Sequence, residues 1–149
     1  METYTETVGN KLNDILEKTY DAEKGYEKAA ENTDNVNLKN FFTRKKQQRY
    51  DFGHELKTEI KQFGEEVDKG GSVTGAMHRA WMDTKAFFSG DNAEAMLEES
   101  IRGEKAAVEE YQDVLKDTAL PASTATLLSQ QMNKINTDLN QIKRLEDLR

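Results

Sequence analysis

The run Leu97-Glu98-Glu99-Ser100-Ile101-Arg102-Gly103-Glu104-Lys105-Ala106-Ala107-Val108-Glu109-Glu110-Tyr111 decides how the rest of the chain is read. At about 100° per residue, Leu97, Ser100, Ala107, Val108 and Tyr111 share one arc of a helix. Glu104 falls near the centre of that arc. An apolar face interrupted by a carboxylate at its middle points to a packed helix with something inside that answers the charge. Outward from this run, Ala93 and Leu115 extend the stripe, so a helix is predicted from about Asn92 to Asp117. Asp91 with Glu94 has the spacing of a capping box at its start.

Three more long helices show the same periodicity. The first runs from about Thr5 to Glu31, with Val8, Leu12, Ile15, Leu16, Thr19, Ala22, Tyr26 and Ala29 on one stripe. Asn32-Thr33-Asp34-Asn35 supplies a stop and the next N-cap. The second runs from about Asn35 to Phe63, with Leu38, Phe41, Phe42, Phe52, Leu56, Ile60 and Phe63 inward, and Gly64 ends it. The last opens at Pro121, which suits a first turn. Its inward positions are Thr124, Leu128, Ile135, Leu139, Ile142 and Leu145. A short extra helix, Val73 to Phe88, is predicted between the two pairs, after a possible Ser72 N-cap, with Val73, Met77, Trp81, Thr84 and Phe88 on its stripe.

Connector lengths set the topology. Helices one and two are tightly joined, as are the last two long helices, so each pair is antiparallel. About 27 residues separate the pairs, enough to cross the length of a bundle. The expectation is one all-α domain over residues 1–149, a ferritin-like four-helix bundle with a long crossover containing the short helix.

Composition narrows the function. The 149 residues carry 28 acidic and 21 basic side chains, a net charge of −7, which disfavours nucleic acid as a partner. Without cysteine there is no disulfide, thiolate nucleophile or thiolate metal site. No run approaches the roughly 20 apolar residues of a membrane span, and the N-terminus lacks a signal-like apolar segment. No membrane partner and a cytoplasmic location are the resulting expectations.

One polar residue on each long helix falls on or beside its apolar stripe: Glu23, Gln48, Glu104 and Gln131. All lie near mid-helix, where an antiparallel bundle could bring them to one depth. Two carboxylates in a dry interior need a cation, a proton or strong donors. A di-metal centre would use glutamates from two helices and Glu-x-x-His from the other two. Glu23 and Glu104 could be the single glutamates, but the paired motifs are missing. Asp51-x-x-His54 carries its histidine about 170° from the apolar stripe, toward solvent. Gln131-x-x-Lys134 offers a neutral amide and an ammonium where a carboxylate and an imidazole are wanted. The protein itself supplies cations instead. Arg49 and Lys45 both fall near the inner arc of helix two, and arginine, always charged with five donors, is the stronger candidate. A buried polar network of Glu23, Gln48, Arg49, Glu104 and Gln131 is therefore expected, in place of a metal site. Were iron or manganese bound, Glu23 and Glu104 would be the ligands.

Several stretches also resemble a known family. Asp21-Ala22-Glu23-Lys24-Gly25-Tyr26-Glu27-Lys28-Ala29-Ala30, within Leu12 to Glu31, is similar to the first helix of the bacterial family named domain of unknown function 2383. Gly75-Ala76-Met77-His78-Arg79-Ala80-Trp81-Met82-Asp83 resembles its crossover signature, and Gly103-Glu104-Lys105-Ala106-Ala107 with Tyr111 resembles its third long helix. Gln131 with Ile142 fits its last. The resemblance implies a ferritin-like fold and no particular activity. It also implies a histidine near the end of the last helix, where this chain has Leu139.

Three functional classes follow. The first and preferred is a non-catalytic bundle, stress-associated and homo-oligomeric, with a degenerate metal site and no cofactor. The second is a di-iron or di-manganese carboxylate protein, an oxidase or metal store. The third is a small-molecule or protein-binding module using a groove around Met77, Trp81 and Phe88.

Overall fold

The computed structural model describes residues 3–67, 93–117 and 119–148. The predicted short helix, the groove residues Met77, Trp81 and Phe88, and the Asp91 cap lie outside them. Four long helices make up the described chain: α1 (Tyr4–Glu31), α2 (Val36–Gln62), α3 (Ala93–Asp117) and α4 (Ala122–Gln141), followed by a single 3-10 turn at Leu145–Asp147.

Local chemistry fixes the ends. Thr3 caps α1 through a reciprocal capping box with Glu6, each side chain accepting the other residue's backbone N–H. Asn35 caps α2, accepting from the Leu38 N–H at 2.9 Å. The α2 C-terminus closes in a Schellman motif: Gly64 N–H donates to Lys61 O and Glu65 N–H to Ile60 O. Gly64 takes φ +72°, a conformation that needs no Cβ.

The predicted limits of the first three long helices agree with the structure to within a residue. The last differs. Helix α4 stops at Gln141, and Ile142 is extended at φ −117°, ψ 103°. Ile142 and Leu145 still pack inward, but from the tail rather than from a continuing helix. The reason is chemical: Asp147 accepts from the Lys143 and Arg144 N–H groups at 2.9 and 3.1 Å, stabilising a turn that buries Leu148. Pro121 sits one position earlier than predicted, at the N-cap, where its carbonyl accepts from Ala125 N–H.

The helices form a ring. The close neighbours are α1 with α2, α2 with α4, α4 with α3 and α3 with α1, which leaves α2 and α3 facing each other across the centre. Contacts set the directions. Tyr26 meets Ser100 while Lys18 meets Glu110, so α1 and α3 are antiparallel. Lys45 meets Asp138 while Glu59 meets Thr124, so α2 and α4 are antiparallel too. With each consecutive pair antiparallel, α2 and α3 run parallel. Two apolar clusters fill the interior. One, around Leu12, Leu16, Phe52, Leu56 and Ile60, lies toward the α2 C-terminus. The other, around Tyr26, Leu38, Phe42, Met96 and Leu97, lies toward the α2 N-terminus. Leu12, Leu16, Phe42, Leu56 and Ile60 have no exposed surface, and each contributes about 1.5–3 kcal/mol by leaving water.

Candidate functional site at the centre of the bundle

Between the two apolar clusters lies a layer of charge. Glu104 projects from α3 with one carboxylate oxygen paired to Arg49 Nη2 from α2. Its other oxygen, Oε2, lies 2.8 Å from Lys45 Nζ, one turn earlier on α2. Lys45 Nζ also donates to Asp138 Oδ2 of α4 at 2.7 Å and to Gln48 Oε1 at 3.0 Å. Gln48 Oε1 accepts again from Arg49 Nη1 at 2.7 Å. Two cations thus meet two carboxylates, with one amide oxygen bridging the cations. Lys45, Arg49 and Glu104 are each less than 5% exposed, whereas the Asp138 side chain keeps 30% of its surface. The cluster is neutral as a whole, but its dry part carries one excess positive charge.

Electrostatics hold this arrangement in its charged form. Burial alone would raise the Glu104 pKa, but Arg49 and then Lys45 outweigh it and hold the carboxyl below its ordinary range. Burial would likewise depress Arg49, and Glu104 more than reverses this. The Arg49 guanidinium lies 5.9 Å from the Tyr26 ring centroid and 5.7 Å from that of Phe52, distances at which π-faces favour a cation. Tyr26 shares a 2.8 Å hydrogen bond with Ser100. Burial, with Glu104 adding to it, pushes its phenol well above the ordinary value.

A second polar layer lies about two turns along α3 and α4. Gln131 Oε1 accepts from the Tyr111 hydroxyl at 2.7 Å, and Gln131 Nε2 donates to Glu55 Oε1 at 3.0 Å and to Phe52 O at 3.3 Å. A buried glutamine linking α3, α4 and the α2 backbone fixes their relative height. Burial is also the main cause of the raised Tyr111 pKa, against the pull of Arg49.

The candidate residues therefore separate. Arg49, Gln48 and Glu104 come together. Gln131 belongs to the adjacent layer and contacts neither Glu104 nor Arg49 among the described residues. Glu23 is only half-buried and joins none of these contacts. It stands about 55° from the centre of the α1 stripe, at its edge rather than within it. The second carboxylate of the cluster comes instead from the half-buried Asp138, which lies three residues after Ile135 and seven after Gln131, on the α4 edge that faces α2. Glu59 was also passed over in the sequence. It is buried where α4 begins and accepts from Ser123 and Thr124 hydroxyls at 2.9 and 2.6 Å. Its position next to Ile60 and three residues after Leu56 was the available signal.

Whether this centre suits a di-metal ion pair depends on its donors. Both Glu104 oxygens already face cations, so a divalent ion there would sit beside an ammonium and a guanidinium. Of the groups around it, Gln48, Gln131, Tyr26 and Tyr111 are amides and phenols, poor ligands for iron or manganese, and the Asp138 carboxylate is already paired with Lys45. Among the described residues no three His, Asp or Glu side chains converge as a metal site would require. The residues present do not fit the metal.

The sequence matches the family described as Domain of unknown function (DUF2383) over residues 7–117. The chain belongs to this family. The match spans α1, α2 and α3, so Lys45, Arg49 and Glu104 fall within it, while Gln131 and Asp138 lie beyond it. No curated protein matches the sequence. No described helix is long and apolar enough to cross a membrane.

Proposed function

We propose that this protein is a non-catalytic ferritin-like bundle in which a protein-supplied ion cluster stands where relatives of that architecture would hold two metals. The single observation that carries the reading is the pairing of Glu104 with both Arg49 and Lys45. The helix order supports the architecture: two antiparallel hairpins whose inner helices α2 and α3 run parallel require one long crossover, as ferritin-like bundles do. The cluster acts as a register device. Apolar cores tolerate sliding by a turn, whereas a slide of α3 against α2 would separate Glu104 from both cations and strand Glu104 and Arg49 in a dry interior.

The test is metal content. Protein purified without chelator, and again after incubation with iron(II) or manganese(II), is analysed by plasma mass spectrometry after desalting. The proposal expects far less than one ion per chain in both samples. A stoichiometry of about two iron or manganese ions per chain would overturn it.

A further inference from the structure

Helices α1 and α3 are close neighbours but do not close on each other. A cavity of about 310 Å³ lies between them. Ile15, Ala22 and Ala107 give it apolar walls, and its floor reaches Arg49 and Glu104. A dry cavity of about 150 Å³ accommodates benzene, so this one has space for about twelve non-hydrogen atoms.

One oxygen of this lining is left short of a hydrogen bond. Glu104 is 4% exposed, and its Oε2 is buried and accepts no hydrogen bond among the described residues. Lys45 Nζ lies 2.8 Å away, so the charge is answered, but the hydrogen bonds of that ammonium go to Asp138 and Gln48. Oε2 is therefore an acceptor with a cation beside it and no N–H or O–H directed at it. A buried acceptor in that state gains from a donor, and the donor need not bring charge.

The charges around the cavity select against ions. Asp21 is the second buried carboxylate of the lining, 5% exposed, and it has a partner of its own. In charge, Asp21 and Glu104 together offset Lys45 and Arg49, the two buried cations beside the floor. At the rim Lys18 pairs with Glu110, and Arg102 with Glu99. These charges sum to zero, so an ammonium or a carboxylate entering the cavity would bring one that is not matched. An ammonium on Oε2 would also stand next to Lys45 and Arg49. The occupant that fits is neutral.

We propose that the α1–α3 cavity binds a neutral, largely apolar small molecule carrying one hydroxyl, which donates to Glu104 Oε2. The ring or chain of the ligand packs on Ile15, Ala22 and Ala107. This inference rests on the metal-free reading of Glu104, because a metal there would take the same oxygen.

The probe is α-tetralol, a bicyclic alcohol of about the right size. Four compounds on the same skeleton are the comparisons. Tetralin lacks the oxygen, α-tetralone keeps it as an acceptor only, and 1-aminotetralin and tetralin-1-carboxylate carry a positive and a negative charge. Binding to the full chain at neutral pH, on protein whose metal content has been measured, is followed by NMR of the Ile15, Ala22 and Ala107 methyls and of the Glu104 carboxyl carbon. α-Tetralol should shift all of these saturably, and each comparison compound should bind roughly tenfold or more weakly. Ala107→Leu, which fills the cavity from its half-buried wall, should abolish the shifts while the far-ultraviolet circular dichroism stays unchanged. No saturable shift with α-tetralol, methyl shifts without a shift of the Glu104 carboxyl, less than roughly tenfold discrimination against any of the four compounds, or undiminished binding to a folded Ala107→Leu variant would each overturn the proposal. Failure of α-tetralol to bind metal-free protein removes this site alone, whereas about two metal ions per chain would remove the proposed function before any ligand is added.

Discussion

Replacing Glu104 with leucine removes the anion that sits between two buried cations. Lys45 keeps Asp138 at 2.7 Å and Gln48 at 3.0 Å, so its loss is partial. Among the described residues Arg49 keeps only the Gln48 oxygen at 2.7 Å and, at 3% exposure, cannot reach water without disturbing the packing of Phe52 and Tyr26. Stranding a buried charge in this way costs about 3–5 kcal/mol. That is a large share of the 5–15 kcal/mol or so that a domain has in total. With a urea m-value of about 2 kcal/mol/M, the midpoint should fall by roughly 2 M. Arg49→Leu should cost less, about 2–3 kcal/mol, because Lys45 still neutralises Glu104 at 2.8 Å. The double variant removes both members of the pair and leaves Lys45 with Asp138. Its cost should therefore fall short of the sum by at least about 2 kcal/mol. Equilibrium urea unfolding of the four proteins, followed by circular dichroism, measures this coupling. Additive losses, with a coupling below about 0.5 kcal/mol, would refute the reasoning, since two groups that do not interact have no such deficit.

Acid should destabilise the protein partly through Glu104. Its folded pKa lies below the ordinary 4.5, so the stabilisation is fully present above that value and is lost as pH falls through the depressed one; Glu104→Gln should flatten this acid limb in urea midpoints measured from pH 7 downward. In the alkaline direction, Tyr26 and Tyr111 have folded pKa values above the ordinary 10, so stability is intact below pH 10 and declines as pH rises beyond it. Their phenolate absorbance should appear only with unfolding, and Tyr26→Phe and Tyr111→Phe should each remove part of that late signal. Gly9→Ala should destabilise by about 1–2 kcal/mol despite the better helix propensity of alanine, because the added Cβ would lie 2.7 Å from Glu65 Cγ. The thermal midpoint should recover in part when Glu65→Ala is combined with it.

Much of this molecule is legible from periodicity. The stripe positions of α1 and α2 are buried as the wheel predicts, save Phe63 at the end of α2, which is half-buried, and Glu104, Arg49 and Lys45 lie close to stripe centres and are buried with them. Residues at stripe edges are different. Glu23 on α1 and Glu59 on α2 stand at nearly the same angle from their stripe centres, about 55–60°. Glu59 is buried because the first turn of α4 covers it with two hydroxyls, while Glu23 has no such neighbour among the described residues and is half-buried. Burial at an edge is decided by the adjacent helix, which one helix's sequence does not encode. The same holds for Asp138, which becomes a partner of Lys45 only once α4 is docked beside α2. The end of α4 escaped for another reason. The apolar spacing of Leu139, Ile142 and Leu145 fits a continuing helix, and the competing interaction, Asp147 drawing in the Lys143 and Arg144 N–H groups, carries no periodic signal.

The most direct test of the central claim is a crystal structure from crystals grown with manganese(II), with anomalous difference maps calculated at the manganese edge. The account expects Arg49 Nη2 and Lys45 Nζ within hydrogen-bonding distance of the two Glu104 oxygens, and no anomalous peak among them. An anomalous peak coordinated by Glu104, with the Arg49 guanidinium turned away from the carboxylate, would contradict it.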